Sequence, residues 1–304
     1  MCIMPMIPYG QGAKTDALST LKRKWKRLFR PKLARSGVPF NWAVDPAVIQ
    51  TRLTTLGPIK IKNQYQSDSC GGQAGSYFLG ITEAIKNGTQ YSEVSAKSIY
   101  APIAYPGGGT TDTALQSQIM NKGALSEALV PSYTPQGTTT EAWMTDTSFE
   151  TPPNQIIALA DAGWVEVTVA NNLGAIAAAI RDYGATIWHI QGNFYDQRWL
   201  GIRPPLPGPG VSLGGHFMCQ HNVGENTIIS LQSWGAGVGQ NGTQIFTDQD
   251  FIGSKYLVDI FTFAPKTVPH PTIPGQTTPN PAVLTWQVRL FNYFLSLFST
   301  GNNS

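Results

Sequence analysis

Across residues 69–88, Ala74, Tyr77, Phe78, Ile81 and Ile85 recur at three- and four-residue steps, the spacing of one helical face. Ser69 is placed to cap the start of this buried helix, and Asn87-Gly88 supplies its stop. The same signals predict a second helix over 112–122, ending at Gly123, and a third over about 173–183, ending at Gly184. The pattern then changes. Residues 185–190, 215–222, 227–233 and 255–263 read as strands. Helices first and strands later predict an α+β protein with two segregated lobes.

The two ends depart from this body, which runs over 37–265. Residues 1–36 form a basic arm, where Leu21, Trp25, Leu28 and Phe29 fall on one stripe of a short helix; a solvated arm fits equally well. Residues 266–284, rich in Pro and Thr, read as an extended linker. In 285–304, Trp286, Leu290, Phe291, Phe294, Leu297 and Phe298 share one helical face. That stretch is too short, and too interrupted by Arg289 and Asn292, to span a bilayer. Docking back on the body is the plain reading of it, with a partner or a membrane surface as alternatives.

Composition narrows the function classes. A net charge of +3 over 304 residues excludes a body built to bind polyanions. The positive charge is concentrated in the arm, at Lys22, Arg23, Lys24, Lys26, Arg27, Arg30, Lys32 and Arg35. Nucleic acid, an anionic lipid surface or a protein are its candidate partners. The three cysteines, Cys2, Cys70 and Cys219, make no disulfide framework, and the first residues lack a secretory pattern. An intracellular or particle-associated setting is expected.

The candidate chemistry centres on Cys70. In the first turn of a helix, unpaired amides and the helix dipole favour thiolate over thiol. Gln64, six residues upstream, offers a side-chain amide to an oxyanion, with the Cys70 backbone N–H as a second donor. Among four histidines, His270 lies in the linker, His189 in mid-strand where a structurally satisfied ring is expected, and His221 near a turn. His216, after Gly214-Gly215 at a strand start, is the preferred base. A reversal at Gly224-Glu225-Asn226 sets it opposite about Gln232 or Ser233, so an amide orients the ring and Trp234 covers their hydrogen bond. The result is a Cys70–His216–Gln232 triad backed by Gln64.

These residues resemble the papain family of cysteine peptidases. Asn63-Gln64 followed by Ser69-Cys70 is similar to that family's segment before its catalytic cysteine. Gly107-Gly108-Gly109 with Ala114-Leu115 resembles its glycine pair and following helix, and Asn121-Lys122-Gly123 to Tyr133 is similar too. Gly215-His216, then Gln232-Ser233-Trp234-Gly235 with Gly237, Gly239 and Gly242, resembles its histidine and tryptophan-glycine block at the family's interval. Val38-Pro39-Phe40-Asn41-Trp42 resembles the start of the mature enzyme.

The resemblance covers roughly residues 38–263. It implies a helical lobe and an antiparallel β-barrel-like lobe with the active site in the cleft between them, and thiol-dependent hydrolysis of peptides or proteins with no cofactor. It further implies that Gly109 bonds the substrate backbone, with Gly108, Gly215 and Trp234 around it.

Three departures stand out. Gln232 replaces the usual asparagine, adding a methylene. Gly71 replaces the tryptophan after the cysteine, which is expected to open that edge of the cleft, and Ser67 replaces a disulfide cysteine. The 36-residue arm is also too short for the family's usual inhibitory propeptide. These departures keep a second reading in play, an inactive scaffold that binds as part of a larger assembly. A metal enzyme has only Cys219 and His221 in its favour, two apart on one strand, and a packed strand is preferred.

Overall fold

The computed structural model describes residues 38–157, 159, 163–192, 214–247, 252 and 257–265. The basic arm, the linker and the aromatic C-terminal segment lie outside the described residues, as do Cys2 and His270. The helices are α1 (Asp45–Leu56), α2 (Cys70–Asn87), α3 (Ala96–Tyr100), α4 (Asp112–Ser117), α5 (Glu141–Thr145) and α6 (Leu173–Tyr183). The strands are β1 (Trp164–Thr168), β2 (Thr186–Gly192), β3 (Gly214–Gly224), β4 (Thr227–Leu231), β5 (Thr243–Phe246) and β6 (Leu257–Pro265). All pair antiparallel in one sheet of order β1-β6-β2-β3-β4-β5.

Period-two alternation divides the interior into two cores on opposite faces of this sheet. Ile187, Phe217, Cys219, Leu231, Phe261 and Phe263 join the α2 residues Ala74, Tyr77, Phe78 and Ile81. Their chain neighbours Trp188, Met218 and Ile260 join Ile176, Ala177 and Ile180 of α6 and Ile49 of α1. Burying one such large apolar side chain contributes about 2 kcal/mol, so a one-residue slip, which would exchange the two sets, is strongly disfavoured.

Helix α2 ends as expected. Gly88 adopts φ 63° and ψ 32°, and the N–H of Thr89 reaches back to the Ala84 carbonyl at 3.0 Å, closing the last turn. Its start differs. Ser69 makes no side-chain cap; its hydroxyl lies 2.7 Å from the Ser67 hydroxyl and accepts from Gln73 Nε2 at 3.3 Å. The second helix is shorter than expected. Thr111 caps α4, but Gln118–Lys122 widens into a π turn closed by Gly123 N–H to Gln118 O at 2.7 Å. Helix α6 and Gly184 stand where the sequence set them, and Arg52 of α1 donates to the terminal carbonyls of Ile180 and Arg181 at 2.8 and 2.6 Å. Strands β1 and β5 were not expected.

Strands β3 and β4 form a hairpin whose turn, Glu225-Asn226, is exposed, with Asn226 at φ 49°. A bulge at His221 shifts the ladder by one residue, and pairing ends at Cys219↔Leu231. His216 is therefore not held opposite Gln232 or Ser233 by the β3–β4 ladder. Its strand partner is Ile190 of β2.

Candidate active site

Cys70 opens α2 and is fully buried, as are His216, Gln64 and Gln232 to within 1%. The segment before the cysteine and the block after β4 are stitched together through the backbone. Gln64 N–H donates to Ser233 O at 2.7 Å, Gly235 N–H donates to Lys62 O at 3.0 Å, and Asn63 bridges Trp234. The Gln64 side chain is fixed at both ends: Nε2 donates to Ser67 O at 2.9 Å, and Oε1 accepts from the Ser233 hydroxyl.

The Trp234 ring stacks on His216 with centroids 4.3 Å apart and planes 21° from parallel. The residues following Cys70 and His216 also come close. A Cβ built on Gly71 would lie 2.5 Å from the Thr110 methyl and 3.4 Å from the Phe217 ring. Gly71 thus does not open the cleft edge: Thr110 and Phe217 occupy the space, and only a residue without Cβ allows their approach.

The amide of Gln232 does not meet the expectation set for it. Its Nε2 donates to Val238 O at 2.9 Å, while Oε1 is buried and accepts no hydrogen bond from the described residues. The extra methylene carries the amide toward the 235–242 turn. Burial, then the neighbouring His189, pulls the His216 pKa down to about 3, so its ring is neutral near pH 7.

The glycine turn is built from positive-φ backbone, 81°, 88° and 83° at Gly107, Gly108 and Gly109. Asp68, two residues before Cys70, packs its carboxylate against Gly108. Both backbone groups of Gly109 are engaged: N–H donates to Tyr100 Oη at 2.6 Å, and the carbonyl accepts from Tyr105 N–H at 2.9 Å. Gly215 lies within the sheet, paired with Gln191 of β2.

A pairing the sequence did not reveal sits beside this site. His189 Nδ1 is 2.7 Å from Asp112 Oδ1, with both side chains buried, and the His189 ring lies 4.8 Å from that of Phe217. Cys219 and His221 are buried in β3; burial pushes the Cys219 thiol up and the His221 imidazole down to about 4.

No family model and no curated protein matches the sequence. Solved structures do match. Xylellain, a cysteine protease from Xylella fastidiosa, superposes with a TM-score of 0.55 at 16% identity, over 78% of this chain and 95% of that one. Digestive procathepsin L2 proteinase from Tenebrio molitor larval midgut gives 0.55 at 18% identity, over 85% and 80%. The Carica candamarcensis cysteine protease CMS1MS2, in complex with E-64, gives 0.51 at 17%, over 78% and 99%. The chain has the α+β fold of papain-like cysteine proteases.

Proposed function

We propose that this chain is a thiol peptidase with Cys70 as nucleophile and His216 as base. His216 takes the Sγ proton and the thiolate attacks a peptide carbonyl. The tetrahedral oxyanion accepts hydrogen bonds from Gln64 Nε2 and the Cys70 N–H. Collapse expels the amine, protonated by the imidazolium, and leaves a thioester; water, deprotonated by His216, then releases the acid. Burial makes a lone imidazolium unfavourable at this position, so both charges form together, and the Trp234 face steadies the cation. The substrate backbone lies along the Gly108–Gly109 edge, with Gly215 and Trp234 lining the other side.

The observation that carries this reading is the convergence of Gln64, Ser233, Trp234 and His216, with Gly71 and Phe217 in mutual contact beside them. The test is alkylation by iodoacetamide near pH 7 together with hydrolysis of a peptide mixture. Cys70 is expected to react at least about tenfold faster than Cys219, and Cys70→Ala to abolish turnover. Equal reactivity at the two cysteines overturns it.

A second reading, a papain-like scaffold that binds without cleaving, is favoured by the turning of the Gln232 amide toward Val238 and by the engaged Gly109 N–H. In that case Cys70→Ala behaves as the parent. For the segments outside the described residues, we propose an anionic partner for the basic arm and docking of the Trp286–Phe298 face, on sequence pattern alone.

A further inference from the structure

Helix α5 is short and peripheral, yet the residues at its start reach both walls of the site. Glu141 does not cap its own helix; Thr140 does, accepting from Trp143 N–H at 3.2 Å. The Glu141 carboxylate instead splits its two oxygens. Oε2 accepts from the Asp68 backbone N–H at 2.6 Å, and Oε1 accepts from the Tyr100 hydroxyl at 2.6 Å. The same Tyr100 oxygen accepts from Gly109 N–H at 2.6 Å. Burial and the adjoining carboxylate hold the phenol protonated, so it donates to Glu141 while receiving from Gly109. Thr139, two residues earlier, donates to Gln64 O and lies 3.2 Å from the Ser67 hydroxyl.

We infer that Thr139 and Glu141 are positioning residues: a non-covalent clamp that fixes the oxyanion segment, Gln64 to Ser69, against the glycine turn. At Ser67, whose hydroxyl donates to Gln64 O at 2.7 Å and lies 3.2 Å from the Thr139 hydroxyl, hydrogen bonds carry the constraint. Its geometry is independent of catalysis, but its consequence rests on the peptidase reading. An oxyanion donor must be held to within a fraction of an ångström, and loosening its segment removes stabilisation made only in the transition state. The clamp therefore sets turnover rather than thiol reactivity.

The experiment compares the full chain with Glu141→Gln, Thr139→Val and, as a control at the C-cap of the same helix, Asp146→Asn. Asp146 pairs with Lys97 at 2.9 Å and none of its recorded hydrogen bonds reaches residues 64–69. In Glu141→Gln the amide N–H₂ faces one of the two donors, so one link breaks with little change in shape. Amide exchange at Asp68 and Gly109 is expected to rise about tenfold, with the interior of α2 unchanged. The kcat for a peptide should fall about 10- to 100-fold, with KM and the Cys70 alkylation rate within about threefold. Asp146→Asn should leave all of these as in the parent. Unchanged exchange in both clamp variants overturns the inference, and so does raised exchange with unchanged kcat. If the parent itself hydrolyses nothing, the peptidase reading falls, and the clamp stands or falls on exchange alone.

Discussion

Two buried histidines stand near one another in this protein and are held by opposite means. His216 lies under an indole face, stacked on Trp234. His189, one strand over, has a carboxylate at 2.7 Å in Asp112, sealed by Phe217. A ring that gains and loses a proton has to be held in orientation, and stacking on Trp234 does that for His216 without adding a charge. A carboxylate partner instead makes an ion pair whenever the imidazole is protonated, which suits tying α4 to β2. On the proposed function, the contrast gives proton transfer to His216 and cohesion to His189.

The sharpest way to break that contrast is to exchange the losses. His216→Ala should lower peptide hydrolysis by at least about 10³-fold. His189→Gln should change kcat less than about tenfold while lowering the melting temperature. Equal losses of activity would erase the distinction. Next in size, Asp112→Asn removes one member of a buried pair and should cost about 3 kcal/mol in urea unfolding, with Cys70 alkylation nearly unchanged.

Acid should also lower stability, and the sign follows from burial. His216 and His221 titrate near 6.5 when unfolded but at about 3 and about 4 in the folded protein. The unfolded chain therefore binds protons that the folded chain refuses, and the stabilisation is complete above about pH 6.5. It is lost as pH falls through 6.5 toward 4 and 3. Melting temperature should decline over that range, and His221→Gln should flatten the decline, worth roughly 3 kcal/mol at its full extent. A melting temperature independent of pH between 7 and 4 would contradict the neutral, dry setting described for both rings.

What the sequence disclosed was what local chemistry fixes. The Cys70 helix, the Gly88 and Gly184 stops and the strand that carries His216 follow from spacing and turn residues. Trp234 was expected as a cover over a His216–Gln232 hydrogen bond, and the structure shows it stacked on the His216 ring itself. What stayed hidden depends on partners far along the chain. Strand β1 exists because Trp164 to Thr168 find β6 a hundred residues later. Asp112 meets His189, and Glu141 meets Asp68, only after the lobes have packed. The β3–β4 ladder stops at Cys219↔Leu231, short of His216, a limit that the turn residues do not reveal, and the Gly71 space was filled by Thr110 and Phe217, neither of them its neighbour in sequence.

The exposed Glu225-Asn226 turn offers a practical opening. Eight residues of strand, 217–224, separate it from His216, a span of roughly 30 Å at strand rise. A short epitope or a dye-bearing peptide grafted between those two residues would report on the chain, or anchor it to a support, without touching the chemistry at the opposite end of the strand.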